Sequence, residues 1–279
     1  MPLSPSETHK VLESIGHKPK KKLGQNFLID GNIVKKSLVM AAPLPGDPIV
    51  EIGPGLGTLT EELLSQGYQV HAVELDTNLA AFLRKKFTKE LNNNTFILTE
   101  GDAVKEPTGS LILHNDTFRI VANLPYAISS PWLESILGGE KIPQSMTLML
   151  QKEASDRMWA KPSTKNYNAL SIFLHGAYTL EKTHAVSKQC FYPVPAVDSV
   201  LIHMKRLAEP FLYQKDTRNL IRKVFTKRRK QIGAVIKQES LQSQKILDAW
   251  LKQTGLPRTL RAEQIPPADW QKLSQNMSG

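Results

Sequence analysis

The fold is decided by Ile49-Val50-Glu51-Ile52-Gly53-Pro54-Gly55-Leu56-Gly57, a mainly apolar run that leads directly into three closely spaced glycines. The apolar run predicts a buried strand, and the glycines predict a sharp turn that lets the backbone approach a ligand closely. The fingerprint of nicotinamide dinucleotide sites would need a third glycine at position 58, where this chain has Thr58. The turn therefore predicts a nucleoside-type site that departs from the nicotinamide pattern.

Strand and helix signals alternate on both sides of this stretch. The predicted strands are 49–52, 69–73, 95–98, 119–122, 146–150 and 197–204, and the predicted helices are 30–40, 59–66, 78–87, 130–137 and 170–177. Such alternation predicts parallel β-α-β units, so we expect an α/β fold with a Rossmann-like sheet and helices on both faces. After Arg206 two long helical stretches, 215–237 and 243–254, predict a small all-α C-terminal domain.

We therefore expect three parts: a basic, flexible N-terminal arm at 1–22, an α/β domain at 23–206, and a helical, basic domain at 207–279. The net charge of +10 is divided unevenly among them. Residues 206–279 hold 15 Lys and Arg against 6 Asp and Glu, and residues 1–22 hold 5 against 2, whereas residues 23–205 hold 16 against 18. Positive charge gathered at the two ends of the chain predicts a polyanionic partner, and nucleic acid is the commonest one.

The location of the protein is predicted from what the sequence lacks. The N-terminus has no apolar signal-peptide core, and no run of about 18 apolar residues predicts a transmembrane helix. Beside the basic runs there is no amphipathic helix with an aromatic face, which disfavours an anionic membrane surface. Cys190 is the only cysteine, which excludes an intramolecular disulfide and fits a reducing compartment. We expect a cytoplasmic protein with no membrane partner.

Acidic residues follow the next two predicted strands. Glu74 ends the second strand 21 residues after Gly53, a spacing at which a carboxylate can accept hydrogen bonds from ribose hydroxyls. Asp102 follows the third strand, where it could accept from an adenine amino group; taken alone, it also fits a helix N-cap. Three such strand ends predict a nucleoside site without a pyrophosphate cradle, and S-adenosyl-L-methionine fits that description.

The fourth strand ends in Asn123-Leu124-Pro125-Tyr126. An amide oxygen and a backbone carbonyl can accept hydrogen bonds from an exocyclic amino group, and a tyrosine ring can stack on a base. Taken alone, the four residues fit a strand-to-loop turn equally well. Beside the predicted nucleoside site, they predict a place where an adenine amino nitrogen is held in front of a methyl donor.

Together these motifs resemble a class I S-adenosylmethionine-dependent methyltransferase that acts on an adenine amino nitrogen. Other segments resemble the ribosomal RNA adenine N6-dimethyltransferase family, and within it the bacterial small-subunit group: Leu23–Leu28, Leu150–Glu153, Cys190–Ser199, Phe225–Lys230 and Arg261–Glu263. The resemblance extends over residues 20 to 265. It implies a methyltransferase that dimethylates two adjacent adenosines in the 3′-terminal hairpin loop of 16S rRNA during small-subunit biogenesis.

The resemblance also implies roles for individual residues. The donor would be bound by residues from five places in the chain: Asn26, Leu28, Gly53, Gly55, Glu74, Leu75, Asp102, Ala103 and Asn123. The catalytic residues would be Asn123, Leu124, Pro125 and Tyr126, with Phe191 stacked on the far face of the target base. The sequence departs from the family at Asn168, where glycine is usual, and this leaves the shape of that loop open.

Basic residues at both ends of the chain are predicted to contact RNA: Lys20, Lys21, Lys22, Arg222, Lys223, Lys227, Arg228, Arg229 and Lys230. Those of the C-terminal group would form the positive face of one helix. A charge run is usually only a solvated face, but this one coincides with the uneven distribution of charge, which favours phosphate contact. No cluster of histidine, cysteine and carboxylate residues has metal-ligand spacing, so we expect no metal. We also expect a monomer.

Three alternatives stay open at the level of sequence. A large-subunit rRNA adenine methylase of the antibiotic-resistance type would share the donor-site residues, although the long N-terminal arm and Arg261-Ala262-Glu263 disfavour it. A non-catalytic nucleic-acid-binding factor could retain the fold, but the intact Asn123–Tyr126 motif argues against that. A nicotinamide oxidoreductase is disfavoured by Thr58 and by the lack of a catalytic acid/base pair.

Overall fold

A computed structural model describes residues 4–112 and 117–277. Helices within the described residues are α1 (Pro5–Ser14), α2 (Gly31–Ala41), α3 (Thr58–Ser65), α4 (Thr77–Lys86), α5 (Thr88–Asn92), α6 (Ser129–Ile136), α7 (Lys152–Met158), α8 (Ala169–Ala177), α9 (Lys215–Phe225), α10 (Ile232–Ile236), α11 (Leu241–Thr254) and α12 (Pro267–Gln275). The strands are β1 (Phe27–Leu28), β2 (Ile49–Ile52), β3 (Val70–Glu74), β4 (Phe96–Glu100), β5 (Arg119–Asn123), β6 (Ser145–Gln151), β7 (Tyr178–Val186), β8 (Phe191–Tyr192) and β9 (Ser199–Arg206).

In the described part of the chain, seven strands form one sheet in the order β4-β3-β2-β5-β6-β9-β7. The pairs β3–β4, β2–β3, β2–β5 and β5–β6 are parallel, and β6–β9 is antiparallel. Strands β2 and β3 are buried at every position, as expected for a parallel sheet covered on both faces. The predicted α/β fold is confirmed. Its parallel strands bring the ends of β2, β3, β4 and β5 to one edge of the sheet.

The predicted mobile arm is wrong for the residues that the structure describes. Residues Pro5–Ser14 form helix α1, which begins with a capping box between Ser4 and Glu7, and a short 3-10 helix follows at Lys21–Leu23. Leu12 of α1 packs in an apolar cluster with Phe27, Leu56 and Leu79. The charge pattern concealed this helix because its buried apolar face is narrow.

The C-terminal helical prediction needs two corrections. The predicted helix 215–237 is divided into α9 and α10, since turns occupy residues 226–229 between them. The residues from Leu207 onward form one compact unit with Asp156–Thr179, so the helical unit includes a segment that we assigned to the α/β domain. Helix α8 lies in that segment, and the Tyr167 hydroxyl donates to the Ile265 carbonyl at 2.9 Å. The other unit comprises the residues up to Ser155 together with Leu180–Arg206.

Asn168 has a clear structural role at the start of α8. Its side-chain oxygen accepts hydrogen bonds from the Leu170 and Ser171 amides at 2.9 and 3.3 Å, and its φ of −154° requires no glycine. Asn168 therefore supplies the N-cap of this helix. Among the described residues, no helix has the length and apolar character needed to cross a membrane.

Candidate active site

A pocket with about 980 Å³ of empty volume, including its open mouth, lies where β2, β3, β4 and β5 end. We call it the donor pocket. It is lined by all the predicted donor-binding residues, by Asn123–Tyr126, and by the segment Lys22–Leu28. The sequence predicted these residues from strand ends and motifs, and the parallel sheet brings them together.

Gly53 allows two walls of the pocket to meet. Its φ is +65°, and a Cβ atom there would lie 2.6 Å from Cγ of Pro125. Any side chain at position 53 would therefore strain the backbone and push the Asn123–Tyr126 motif away from the glycine turn. The glycine joins the predicted donor loop to the predicted catalytic motif.

Glu74 is held rigidly in the floor of the pocket. Its side-chain oxygens accept hydrogen bonds from the Gly55 amide at 3.1 Å and from the Asp76 amide at 2.9 Å. Burial raises the pKa of Glu74 above its ordinary value, and the two amide hydrogen bonds oppose that rise. Each oxygen keeps a lone pair, so the carboxylate can still accept from ribose hydroxyls.

Glu51 also lines the pocket, although we predicted no separate role for it from the sequence. It is buried, and its Oε2 atom accepts a hydrogen bond from the Thr60 hydroxyl at 2.7 Å. Burial raises the pKa of Glu51 to about 8, against the opposing effect of Thr60. At neutral pH the pocket therefore contains a protonated carboxyl group that can donate a hydrogen bond.

Asp102 combines the two roles that the sequence left open. Its Oδ1 atom accepts from the Val104 amide at 2.9 Å, which is the turn-capping role. Its Oδ2 atom accepts no hydrogen bond from the described residues, so this oxygen can serve an adenine amino group. Leu75, which is 50 % exposed, and the buried Ala103 supply apolar surface beside it.

The end of β5 presents two oxygen acceptors, which we call the acceptor pair. The Asn123 side-chain nitrogen donates to the Asn26 carbonyl at 3.0 Å, and this hydrogen bond fixes the orientation of the amide. Within the described residues, neither the Asn123 Oδ1 atom nor the Leu124 carbonyl accepts a hydrogen bond. Polar groups held in this way in a concave site are ready to bind a donor from a ligand.

Tyr126 is fixed by a residue whose role the sequence did not reveal. Its hydroxyl lies 2.6 Å from the Ser199 hydroxyl at the start of β9. Burial raises the pKa of Tyr126, so the phenol is neutral at physiological pH. The Cys190–Ser199 motif contained this serine, but only the tertiary structure brings it to the tyrosine.

A family model for ribosomal RNA adenine dimethylases matches residues 16–278, almost the entire chain. The chain belongs to the ribosomal RNA adenine dimethylases. A relative in Opitutus terrae, Ribosomal RNA small subunit methyltransferase A, is 47 % identical over 274 residues, or 98 % of each chain. A protein of the same name in Clostridium botulinum is 34 % identical over 96 % of this chain and 97 % of that one. The predicted family and the predicted enzyme class, a methyltransferase, are confirmed.

Solved structures agree with this assignment. A dimethyladenosine transferase from Plasmodium falciparum matches with a TM-score of 0.70 and 26 % identity, covering 88 % of this chain and 95 % of the other. The 23S rRNA methyltransferase ErmE matches with a TM-score of 0.61 and 25 % identity, covering 91 % and 100 %. The similarity to these two solved structures therefore covers about nine tenths of this chain.

Phe191 is the one predicted catalytic residue that does not line the pocket of this dimethylase. Strand β8 pairs with β1 so that Phe191 lies opposite Leu28, and the phenylalanine side chain is 1 % exposed within the core. In this arrangement the ring faces core residues and presents no surface to a base. The placement of Phe191 on the far face of a target base, opposite Tyr126, stays a prediction.

The predicted basic helix face of this dimethylase is also wrong. Helix α9 ends at Phe225, and Lys227, Arg228, Arg229 and Lys230 lie in the turn that follows it, residues 226–230, which we call the basic turn. Helix α10 begins only at Ile232, so these four residues belong to neither helix. The basic side chains of the turn therefore do not lie on one helical face together with those of α9.

Several of these cations are paired within the protein. Lys223 and Lys227 both reach the buried carboxylate of Glu239, at 2.5 and 3.7 Å. Arg228 lies 3.6 Å from Glu263 and donates to the Tyr167 carbonyl at 3.0 Å. Arg222 donates to Asn219 at 3.0 Å and lies over the Phe173 ring. These contacts compete with any phosphate.

Exposed cations remain at both predicted RNA-binding regions of the dimethylase. Arg229 and Lys230 are exposed, and no acidic partner is found for them in the part of the chain that the structure describes. At the N-terminus Lys20 is paired with Asp76, whereas Lys22 lines the donor pocket and Lys21 lies on the short 3-10 helix. The described residues include no group of three or more histidine, cysteine or carboxylate side chains arranged for a metal.

Proposed function

We propose that the protein dimethylates the N6 nitrogens of two adjacent adenosines in the 3′-terminal hairpin loop of 16S rRNA, with S-adenosyl-L-methionine as methyl donor. The observation that carries this proposal is the acceptor pair of Asn123 and Leu124 at the mouth of the donor pocket. The names of the relatives in Opitutus terrae and Clostridium botulinum support the small subunit as the substrate.

The residues of the donor pocket fit S-adenosyl-L-methionine. The glycine turn admits a close backbone approach, Glu74 offers two acceptor oxygens for ribose hydroxyls, and Asp102 offers one for the adenine amino group. Asn26 and Leu28 form the wall supplied by the N-terminal segment. When bound, the donor supplies an electrophilic methyl group on a sulfonium centre.

The acceptor pair prepares the target nitrogen for attack. The lone pair of an adenine amino group is shared with the ring, which makes the nitrogen a poor nucleophile. Asn123 Oδ1 and the Leu124 carbonyl accept hydrogen bonds from the two N–H groups of the adenine amino group. These hydrogen bonds favour a pyramidal nitrogen with a more available lone pair. Positioning of this kind supplies most of the acceleration, and no strong general base is needed.

Tyr126 holds the base once it leaves its stack. Extrusion costs a few kcal/mol and less in a loop than in a duplex, and stacking on an aromatic ring offsets about 1–3 kcal/mol. Strand β5 ends at Asn123, two residues before Pro125, so that the Leu124 carbonyl lies outside the sheet ladder. The same proline packs against Gly53, which couples the target site to the donor loop.

RNA binding in this proposal depends on exposed cations. Arg229 and Lys230 of the basic turn, with Lys21 and Lys22 near the pocket, are the residues that we assign to phosphates, because they have fewer internal partners than the rest. Binding of this kind weakens steeply as salt rises. The monomeric state and the cytoplasmic location stay predictions.

The proposal is tested by transfer of labelled methyl groups to small subunits from a strain that lacks the modification, with the modified bases mapped. We expect label on two adjacent adenines of the 3′-terminal hairpin loop, four methyl groups per subunit, and none with Asn123→Ala. Naked large-subunit rRNA serves as the competing substrate. Methylation of the large-subunit RNA in preference to the small subunit would overturn the assignment in favour of the antibiotic-resistance type.

A further inference from the structure

Asp76 lies two residues beyond Glu74 and joins the N-terminal segment, residues 17–28, to the donor pocket. Its side chain is 1 % exposed. The Oδ1 atom caps helix α4 by accepting from the Asn78 and Leu79 amides at 3.1 and 3.4 Å. The Oδ2 atom accepts from the Lys20 ammonium at 2.7 Å and from the Gln25 amide at 3.3 Å. One buried carboxylate therefore serves a helix with one oxygen and the N-terminal segment with the other.

Further contacts surround the same carboxylate. The Gln25 side-chain oxygen accepts from the Lys20 amide at 2.8 Å and lies 3.0 Å from the His17 ring, which itself lies 3.6 Å from Asp76. Burial alone would raise the pKa of Asp76, but the hydrogen bond from Lys20 and the proximity of His17 outweigh it and lower that pKa. The charge of Asp76 is thus maintained by residues of the N-terminal segment.

The contacts continue to the acceptor pair. Asn26 follows Gln25 directly, and its carbonyl accepts the hydrogen bond that orients the Asn123 amide. Gly24 packs so closely on the motif that a Cβ atom there would lie 3.1 Å from the Tyr126 amide nitrogen. The segment that Asp76 holds therefore forms one wall of the donor pocket and fixes the catalytic amide.

We propose that Asp76 is a positioning residue that closes the N-terminal segment over the donor pocket, with Lys20 as its partner, and thereby aligns Asn123. Lys20, which we predicted to bind RNA phosphates, acts on the donor side instead. The inference rests on the proposed function only in taking S-adenosyl-L-methionine as the donor. It assigns roles to Asp76 and Lys20 within that same site.

The first test measures donor affinity by titration calorimetry on the full chain, with no RNA present. Asp76→Asn retains the capping oxygen but loses the charge and turns an N–H group toward Lys20, so we expect about tenfold weaker donor binding. Asp30→Asn is the matched control, because Asp30 caps α2 in the same way through the Asn32 and Ile33 amides. We expect its donor affinity to stay within twofold of the native value.

Lysine variants separate this role from RNA binding. Lys20→Met should weaken donor binding about fivefold in the absence of RNA, whereas Lys18→Met, an exposed lysine two residues earlier, should not. The double variant Lys20→Met with Asp76→Asn should bind no more weakly than Asp76→Asn alone, because the two residues act as a pair. Additive losses, or native donor affinity in Lys20→Met, would overturn the pairing.

Amide hydrogen exchange, measured without the methyl donor, completes the test. The Leu23 and Gly24 amides donate to the Lys20 and Lys21 carbonyls at 3.0 Å, so their hydrogen exchange reports closure of the segment. We expect faster exchange of residues 17–28 in Asp76→Asn and native exchange in Asp30→Asn. Native exchange and native donor affinity in Asp76→Asn would refute the inference alone, whereas lack of donor binding by the native chain would refute the proposed function.

Discussion

The donor pocket and the basic turn illustrate two kinds of sequence signal with different outcomes. In the pocket, the residues predicted from strand ends lie together, because parallel strands end at one edge of the sheet. In the C-terminal region, the predicted cations are divided between internal ion pairs and solvent. Motifs at the ends of predicted strands therefore predicted which residues lie together better than the run of basic residues did.

The largest effect is expected at the acceptor pair. Asn123→Ala should lower methyl transfer at least about a thousandfold, since loss of one preorganised polar group costs about 10²–10³ and the base also loses its alignment. Donor binding should stay measurable by calorimetry, and Asn32→Ala, at an exposed position on α2, should retain native turnover. Turnover near the native rate in Asn123→Ala would show that Asn123 does not position the target amino group.

Glu51 provides a pH test of the same pocket. Because burial raises its pKa from 4.5 to about 8, the folded protein keeps a proton that the unfolded chain releases over that interval. The free energy of unfolding should therefore fall as pH rises from 5.5 to 8, by about 3 kcal/mol from this group. Urea denaturation of the donor-free protein should show a much flatter pH profile for Glu51→Gln, and an unchanged profile would contradict the assignment.

The basic turn is tested by the salt dependence of RNA binding. Replacing Arg229 and Lys230 by glutamine should lower affinity about tenfold and reduce the slope of log affinity against log salt by about 2. Replacing Lys223 and Lys227 should chiefly lower the free energy of unfolding, because buried Glu239 loses its partners. Equal slopes for both double variants would remove the distinction between exposed and paired cations.

A smaller effect is expected where Ser199 holds Tyr126. Loss of one hydrogen bond costs about 1 kcal/mol, so Ser199→Ala should lower kcat/KM for RNA about fivefold with donor affinity unchanged. Tyr126→Phe breaks the same contact from the other side, and the double variant should lose no more than either single one. Independent, additive losses would mean that the serine does not act through the tyrosine.

The correct and incorrect predictions have a common physical explanation. Apolar runs predicted β2 to β6 and β9, and the pattern is strongest in β2, β3 and β6, which are buried at nearly every position. Strand β7 was missed because it contains no apolar run, and the positions between its two ends are exposed or half-buried. Helix α1 was hidden by its polar composition, and the break between α9 and α10 has no proline or glycine to mark it.

The sequence alone determined the family, the α/β sheet and the composition of the donor pocket, because the spacing of glycines, carboxylates and Asn123–Tyr126 along alternating strands fixes which groups share an edge. Tertiary structure decided the partners: Lys20 with Asp76, Tyr126 with Ser199, Phe191 with the core, and Lys223 and Lys227 with Glu239. These contacts join residues far apart in the chain. Short-range patterns do not encode them, since they form only where separate elements pack together.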